Sequence, residues 1–251
     1  MTLPLQSSII YGPINSRRLG KSLGINLSPV NVKACSFDCI YCQYGRTEIK
    51  TCDSHGLELP SVEAVAESIE NALRHHIEMN YITFSGNGEP SLHPEFEEIV
   101  KITKELRDNF CPSIPIAILT NSSRLDQADV LRAMRLVDVI IAKLDAGDDE
   151  TFRAINRPCE RLSVERVIEG LESLEAVVIQ SLKVQGRIQN VEGKAFENWV
   201  QALRRIRARE VQIYTADRPV AESSALRVPK AKLKSLAYEV ESRTGIRTRA
   251  Y

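Results

Sequence analysis

Two features of the chain predict an α/β fold built on a parallel sheet: six short β-branched or aliphatic runs, and helical repeats that alternate with them. The first run lies near residues 22–28. The others occupy 81–85, 115–120, 137–144, 177–184 and 210–215, each bounded by turn residues. Between the first and second runs, Glu63-Ala-Val-Ala-Glu-Ser-Ile-Glu-Asn-Ala-Leu repeats apolar positions three and four apart, behind a Ser61 whose hydroxyl suits an N-cap. Pro94 to Asn109 repeats the same spacing, and further helices are expected near 125–135, 148–155, 163–174, 195–208 and 229–243. Six strands alternating with helices pair in parallel through right-handed crossovers. Functional groups on such a sheet gather at the carboxyl ends of the strands.

With 251 residues and 43% hydrophobic content the chain can bury a large core, and a single domain over residues 1–251 is expected. No apolar run reaches the roughly 18 residues of a membrane span, and the first residues lack the charged start and apolar stretch of a secretion signal. A cytoplasmic protein is expected. The net charge is zero but unevenly spread: residues 201–251 hold 12 Lys and Arg against 5 Asp and Glu, a local charge of +7. That segment, its run Arg204-Arg-Ile-Arg-Ala-Arg209, and Arg17-Arg18 near the start would suit phosphate contacts, so tRNA or another RNA is one candidate partner. A solvated helix face explains the same residues without RNA.

Cys35, Cys39 and Cys42 place three soft thiols on one short loop after the first strand. Ligand number separates the metal readings. A structural zinc site needs four ligands and would have to recruit Cys52 or His55 from downstream. An iron-sulfur cluster is normally held by four thiolates, so a cubane on three leaves one iron open for chemistry. Three unrelated buried thiols are the third reading.

The C-x3-C-x2-C spacing, with Tyr41 just before the last cysteine, resembles the signature loop of the radical S-adenosylmethionine (SAM) superfamily. Residues 81 to 92, Tyr-Ile-Thr-Phe-Ser-Gly-Asn-Gly-Glu-Pro-Ser-Leu, are similar to that family's glycine-glycine-glutamate motif after its second strand, with Asn87 in place of the middle glycine. The Gly-Asn-Gly-Glu-Pro form and the opening from Gly12 to Gly24 most resemble the branch of wyosine-type tRNA synthases and their uncharacterised bacterial relatives. The resemblance implies a partial (βα)6 TIM-like barrel, a [4Fe-4S] cluster on the three cysteines and SAM on the open iron. It further implies one-electron cleavage of SAM to a 5′-deoxyadenosyl radical that abstracts hydrogen from a substrate, and a flavodoxin or ferredoxin as electron donor.

The same resemblance assigns the ammonium group of SAM to the backbone around Gly86, Asn87, Gly88 and Glu89, where glycines allow close approach, and sets Tyr41 against adenine. Other strand ends add polar candidates. Thr120 and Asn121 close the third strand, and Lys143 and Asp145, of one parity, close the fourth. On the fifth, the face Val177, Ile179, Ser181, Lys183, Gln185 turns polar towards its carboxyl end. Asp145 is expected to bind ribose hydroxyls, and Ser181, Lys183 or Gln185 the nucleoside or carboxylate of SAM. Lys143 and Lys183 are also candidate amine nucleophiles, because wyosine-type enzymes hold pyruvate on a lysine. Those enzymes bind a second cluster through cysteines upstream of the signature loop. This chain has none before Cys35, and Cys52, Cys111 and Cys159 are expected to be too dispersed to share one. A glycyl-radical-type activating enzyme and a non-catalytic, zinc-stabilised binding protein are the competing functions.

Overall fold

A computed structural model of the protein describes residues 2–16, 18–75, 78–216 and 220–251. Its centre is one eight-stranded sheet. The strands are β1 (Ile10–Ser16), β2 (Gly20–Ile25), β3 (Tyr81–Phe84), β4 (Ile116–Thr120), β5 (Val139–Lys143), β6 (Val177–Leu182), β7 (Ala208–Tyr214) and β8 (Thr248–Ala250), and they lie side by side in that order. All neighbours pair in parallel except β1, which runs antiparallel to β2 along the edge. The six strands expected from the sequence are all present. The structure adds β1, whose Gly12-Pro13 and polar residues hide its periodicity, and β8, which is three residues long.

Among the described residues seven α-helices fill the connections: α1 (Val62–Arg74), α2 (Phe96–Phe110), α3 (Ala128–Met134), α4 (Asp149–Ile155), α5 (Val164–Glu172), α6 (Gly193–Arg205) and α7 (Lys230–Thr244). The Ser61 hydroxyl does cap α1, accepting from the Ala64 amide at 3.2 Å. Replacing Ser61 by alanine is expected to cost about 1 kcal/mol, readable as a lowered denaturation midpoint with an unchanged slope.

Strand parity divides the sheet into two faces. Leu23, Ile25, Ile82, Phe84, Ile116, Ile118, Val177, Ile179, Val211 and Ile213 point outward and join one apolar core to which all seven helices contribute. On the inner face Ala117, Ile141 and Val178 pack with Leu19, from the turn between β1 and β2, and plug the amino end of the barrel. Above this plug, towards the carboxyl ends, the inner face becomes polar and opens into a cavity. Core and cavity thus follow from one alternation: outward residues join the helices in the apolar core, and inward residues near the strand ends line the cavity.

Candidate functional site

The cavity has a volume of about 270 Å³. The cysteine loop forms one wall, the turn from Ser85 to Glu89 a second, and the inward residues of β5, β6 and β7 a third. The loop is fixed by backbone bonds before any ligand is considered. Asp38 donates to the Asn156 carbonyl at 3.0 Å and Ile40 to that of Ile155 at 3.0 Å, while Cys42 closes a turn on Cys39 at 3.1 Å. Cys35, Cys39 and Cys42 are all free thiols lining the cavity. Asn121 Nδ2 lies 3.5 Å from Cys35 Sγ, and Asn156 Nδ2 lies 3.5 Å from Cys39 Sγ, so an amide donor faces each sulfur. Burial pushes the thiol of Cys35 up to about 11 and that of Cys39 up to about 12. Ionising such thiols at neutral pH needs a cationic centre beside them, which a metal cluster provides.

The glycines after β3 are sterically required. A Cβ on Gly88 would land on the Ala34 carbonyl oxygen, next to Cys35, and one on Gly86 would collide with the Asn26 side chain. Asn87 is structural. Its Oδ1 accepts from the Gln6 amide at 2.7 Å and its Nδ2 donates to the Gln6 and Pro29 carbonyls at 2.9 Å each, tying the N-terminal arm to the cysteine loop. Glu89 is buried and ties β3 to β4, accepting from Ser91 Oγ at 2.6 Å, Thr120 Oγ1 at 2.8 Å and the Asn121 amide at 2.6 Å. Burial nevertheless raises its carboxyl above the ordinary range. Asn121 turns towards the cysteine loop, donating to Ser36 Oγ at 2.8 Å.

Tyr41, Lys143 and Asp145 come together as one cluster. The Tyr41 hydroxyl donates to Asp145, which also accepts from Asn156 Nδ2 at 2.7 Å and the Leu182 amide at 2.7 Å. Lys143 lies over the Tyr41 ring, with Nζ 4.8 Å from its centroid, and donates to the Tyr214 hydroxyl at 2.5 Å. Burial opposes its charge, but Tyr214, Asp145 and Cys39 outweigh that and raise its pKa, so the amine stays protonated. Burial pushes the Tyr41 hydroxyl well up, and it remains neutral.

The fifth-strand expectation needs correcting. Ser181 and Lys183 do not line the cavity; Gln180 and Leu182 do. Lys183 points outward, with Nζ 3.1 Å from the centre of the Trp199 ring on α6 and no hydrogen-bond partner, and burial holds its pKa well below the usual 10.5. Ser181 is fully buried on the same outer face. Gln185 binds the Arg227 carbonyl at 2.9 Å in a short outer ladder. Neither expected fourth zinc ligand faces the trio: Cys52 is bonded to Cys159, and His55 is exposed. Cys111 sits apart at the end of α2. The sequence reading missed Gln180 and Tyr214, although Tyr214 ends a strand and so falls where ligand groups gather.

Among the described residues, Arg205, Lys232, Arg243 and Arg249 of the basic C-terminal segment form ion pairs, Lys232 with Glu192. Arg205 meets Glu165 and Glu172, Arg243 meets Glu197 and Glu239, and Arg249 meets Glu210. Arg17 lies outside the described residues. No helix among the described residues is long and apolar enough to cross a membrane.

The profile of the Radical SAM superfamily matches residues 32–183, from the cysteine loop to the end of β6. The UPF0026 protein of Methanocaldococcus jannaschii is 33% identical over 221 residues, and the match covers 86% of this chain and 65% of that protein. The chain thus spans about two thirds of that relative's length. Among solved structures, a radical SAM methyltransferase from Sphaerobacter thermophilus superposes with a TM-score of 0.66 at 15% identity, over 92% of this chain and 65% of the other. TYW1 with a lysine-pyruvate adduct bound gives 0.64 at 16% identity, over 88% of this chain and 73% of the other. These two share the fold, which is that of the radical SAM TIM-like barrels. A profile match over more than half its length, centred on the loop and cavity just described, makes this chain a member of the radical SAM superfamily.

Proposed function

We propose that the chain is a radical SAM enzyme, with Cys35, Cys39 and Cys42 holding a [4Fe-4S] cluster and the adjoining cavity receiving SAM and a substrate. The observation that carries this reading is the convergence of three free thiols on the same cavity as the Gly86–Glu89 turn and a charged lysine. When bound, the pair supplies one-electron cleavage of SAM to a 5′-deoxyadenosyl radical that removes hydrogen from the substrate, with the electron coming from a flavodoxin- or ferredoxin-type donor.

The chain's own residues supply positioning and polarity. Asn121 and Asn156 present N–H groups to two of the sulfurs, which tunes a cluster's potential. Gly86 and Gly88 leave the backbone of their turn open to a ligand's ammonium group. Tyr41, neutral and fixed by Asp145, presents a flat face for an adenine ring. Lys143 serves as a fixed cation. It faces the cavity but is held protonated, whereas burial lowers the Lys183 pKa but that amine lies outside the cavity, so neither combines the two properties of an amine nucleophile. For that reason the reading does not extend to the pyruvate chemistry named for TYW1.

Anaerobic reconstitution with iron and sulfide, reduction, and incubation with SAM is expected to release 5′-deoxyadenosine even without substrate. Chromatography of the quenched mixture reads the product. A protein that binds about four irons per chain and releases none would overturn the proposed chemistry.

A further inference from the structure

The disulfide between Cys52 and Cys159 does not line the cavity, yet it borders the cysteine loop from both sides. It joins segments 107 residues apart, and each of them is bonded to the backbone around Cys35. On one flank Ala34 and Cys35 pair with Ile49 and Lys50 in a short parallel ladder, which the Thr51 amide extends by donating to the Cys35 carbonyl at 3.1 Å. On the other flank the Cys159 amide donates to the Ser36 carbonyl at 2.9 Å, and the Asp38 amide to that of Asn156 at 3.0 Å. The stretch from Cys35 to Asp38 is therefore held between two flanks. The disulfide staples those flanks together across it.

Two observations mark this bond as exchangeable. Both cysteines are partly exposed, which an attacking thiolate requires. Cys159 Sγ also stands 3.3 Å from the Ser36 carbonyl oxygen. A thiol has a proton to donate there, and a disulfide sulfur has none. An acceptor for the reduced state is thus already in place, one residue from Cys35. The proposed chemistry adds a reason of its own, since cleaving SAM with one electron calls for reducing surroundings, where disulfides are usually transient, catalytic or redox-sensing.

Resting on the proposed cluster, we propose that Cys52 and Cys159 form a thiol–disulfide exchange site, with a dithiol as co-reactant, that sets how firmly the loop holds the cluster. One thiolate of the dithiol attacks a sulfur of the pair, breaking the S–S bond and forming a mixed disulfide, from which its second thiolate releases the protein. Two electrons and two protons pass to the cysteines, and the dithiol leaves as a disulfide. In the dithiol state the flanks are free to part and the cluster can enter. In the disulfide state they are clamped around Cys35 and the cluster is retained.

The test compares the full-length wild type in its two states, set with oxidised or reduced dithiothreitol and verified by alkylation and mass spectrometry, with Cys35, Cys39 and Cys42 confirmed free. Reversible alkylation of Cys52 and Cys159 in the folded protein is expected. In the cluster-free protein the amides of Thr51, Asp38 and Cys159 are expected to exchange hydrogen about tenfold faster in the dithiol state, while those of α7 keep their rates. After reconstitution the dithiol state is expected to lose iron to a chelator about tenfold faster than the disulfide state. The variant carrying both Cys52→Ser and Cys159→Ser is expected to lose iron at the faster rate under either condition. A bond that yields to dithiothreitol only when the protein unfolds would overturn the proposal, because it would be a permanent staple. Equal exchange at the three amides, a speed-up shared equally by α7, or equal iron loss in the two states would overturn it as well. Hydrogen exchange is read without a cluster and without SAM. A wild type that shows the local change but binds no iron keeps the exchange site and loses the radical chemistry.

Discussion

Replacing Cys39 with alanine is expected to leave the anaerobically reconstituted protein without its cluster, with iron falling from about four per chain to less than one and 5′-deoxyadenosine release falling to background. A cubane held by only three thiolates has no spare protein ligand, so losing one removes a third of its protein attachment. The substitution should spare the fold. The loop around residue 39 is held by main-chain bonds from Asp38 to Asn156 and from Ile40 to Ile155, and by the Thr47 hydroxyl on the Phe37 carbonyl at 2.8 Å, none of which uses the sulfur. Circular dichroism should therefore match the wild type while the cluster's visible absorption disappears. Cys111→Ala is the control, since that thiol sits at the end of α2 away from the cavity, and it should retain all the iron. A colourless wild type holding one zinc, or a Cys39→Ala protein that keeps four irons, would remove the basis of the proposed chemistry.

Whether a feature of this fold is legible in the sequence depends on the range of the contacts that make it. Elements with strong local periodicity were readable: the six central strands and seven helices lie within a few residues of expectation because their burial patterns repeat at 2 and 3.6 residues. The antiparallel edge strand was not, because β1 is stabilised by pairing with β2 rather than by its own pattern. The cysteine loop and the glycine turn could be read as site elements because each is contiguous in sequence. The far wall could not, because it is assembled by register. In β6 both faces are buried, so the sequence told which residues share a face but not which face looks inward. The polar succession Ser181, Lys183 gave the wrong side. Only the pairing of Gln180 with Lys143 decides the matter, and that contact joins residues 37 apart in the chain. Asn87 shows a different limit: it lines the cavity, as its place in the glycine motif suggests, and its side chain also anchors the N-terminal arm, which the motif does not show.

Replacing Lys183 with methionine is expected to stabilise the protein by at least the cost of burying an unpaired polar group, about 1–3 kcal/mol, and by more as the pH falls. For a chain of this length that is a rise in Tm of roughly 2–10 °C. Two opposed effects meet at Nζ. The Trp199 ring, 3.1 Å away, attracts a cation, an effect worth about 2 kcal/mol when desolvated. Full removal from water opposes the charge more strongly, by several kcal/mol. Desolvation wins, which is why the pKa is depressed in the folded state. The sign of the pH dependence follows. Between the depressed folded pKa and the ordinary value of 10.5 the unfolded chain binds one proton more than the folded chain, so wild-type stability should rise with pH there, by up to about 1.4 kcal/mol per unit, and level off above. Methionine fills a similar volume without a titrating group, so the variant should lack that rise, and its advantage should shrink as the pH increases. Chemical denaturation at several pH values measures this directly. Parallel profiles for the two proteins would mean that the amine is solvated or paired. A variant that is more stable but releases less 5′-deoxyadenosine would return Lys183 to the functional site from which its outward direction excludes it.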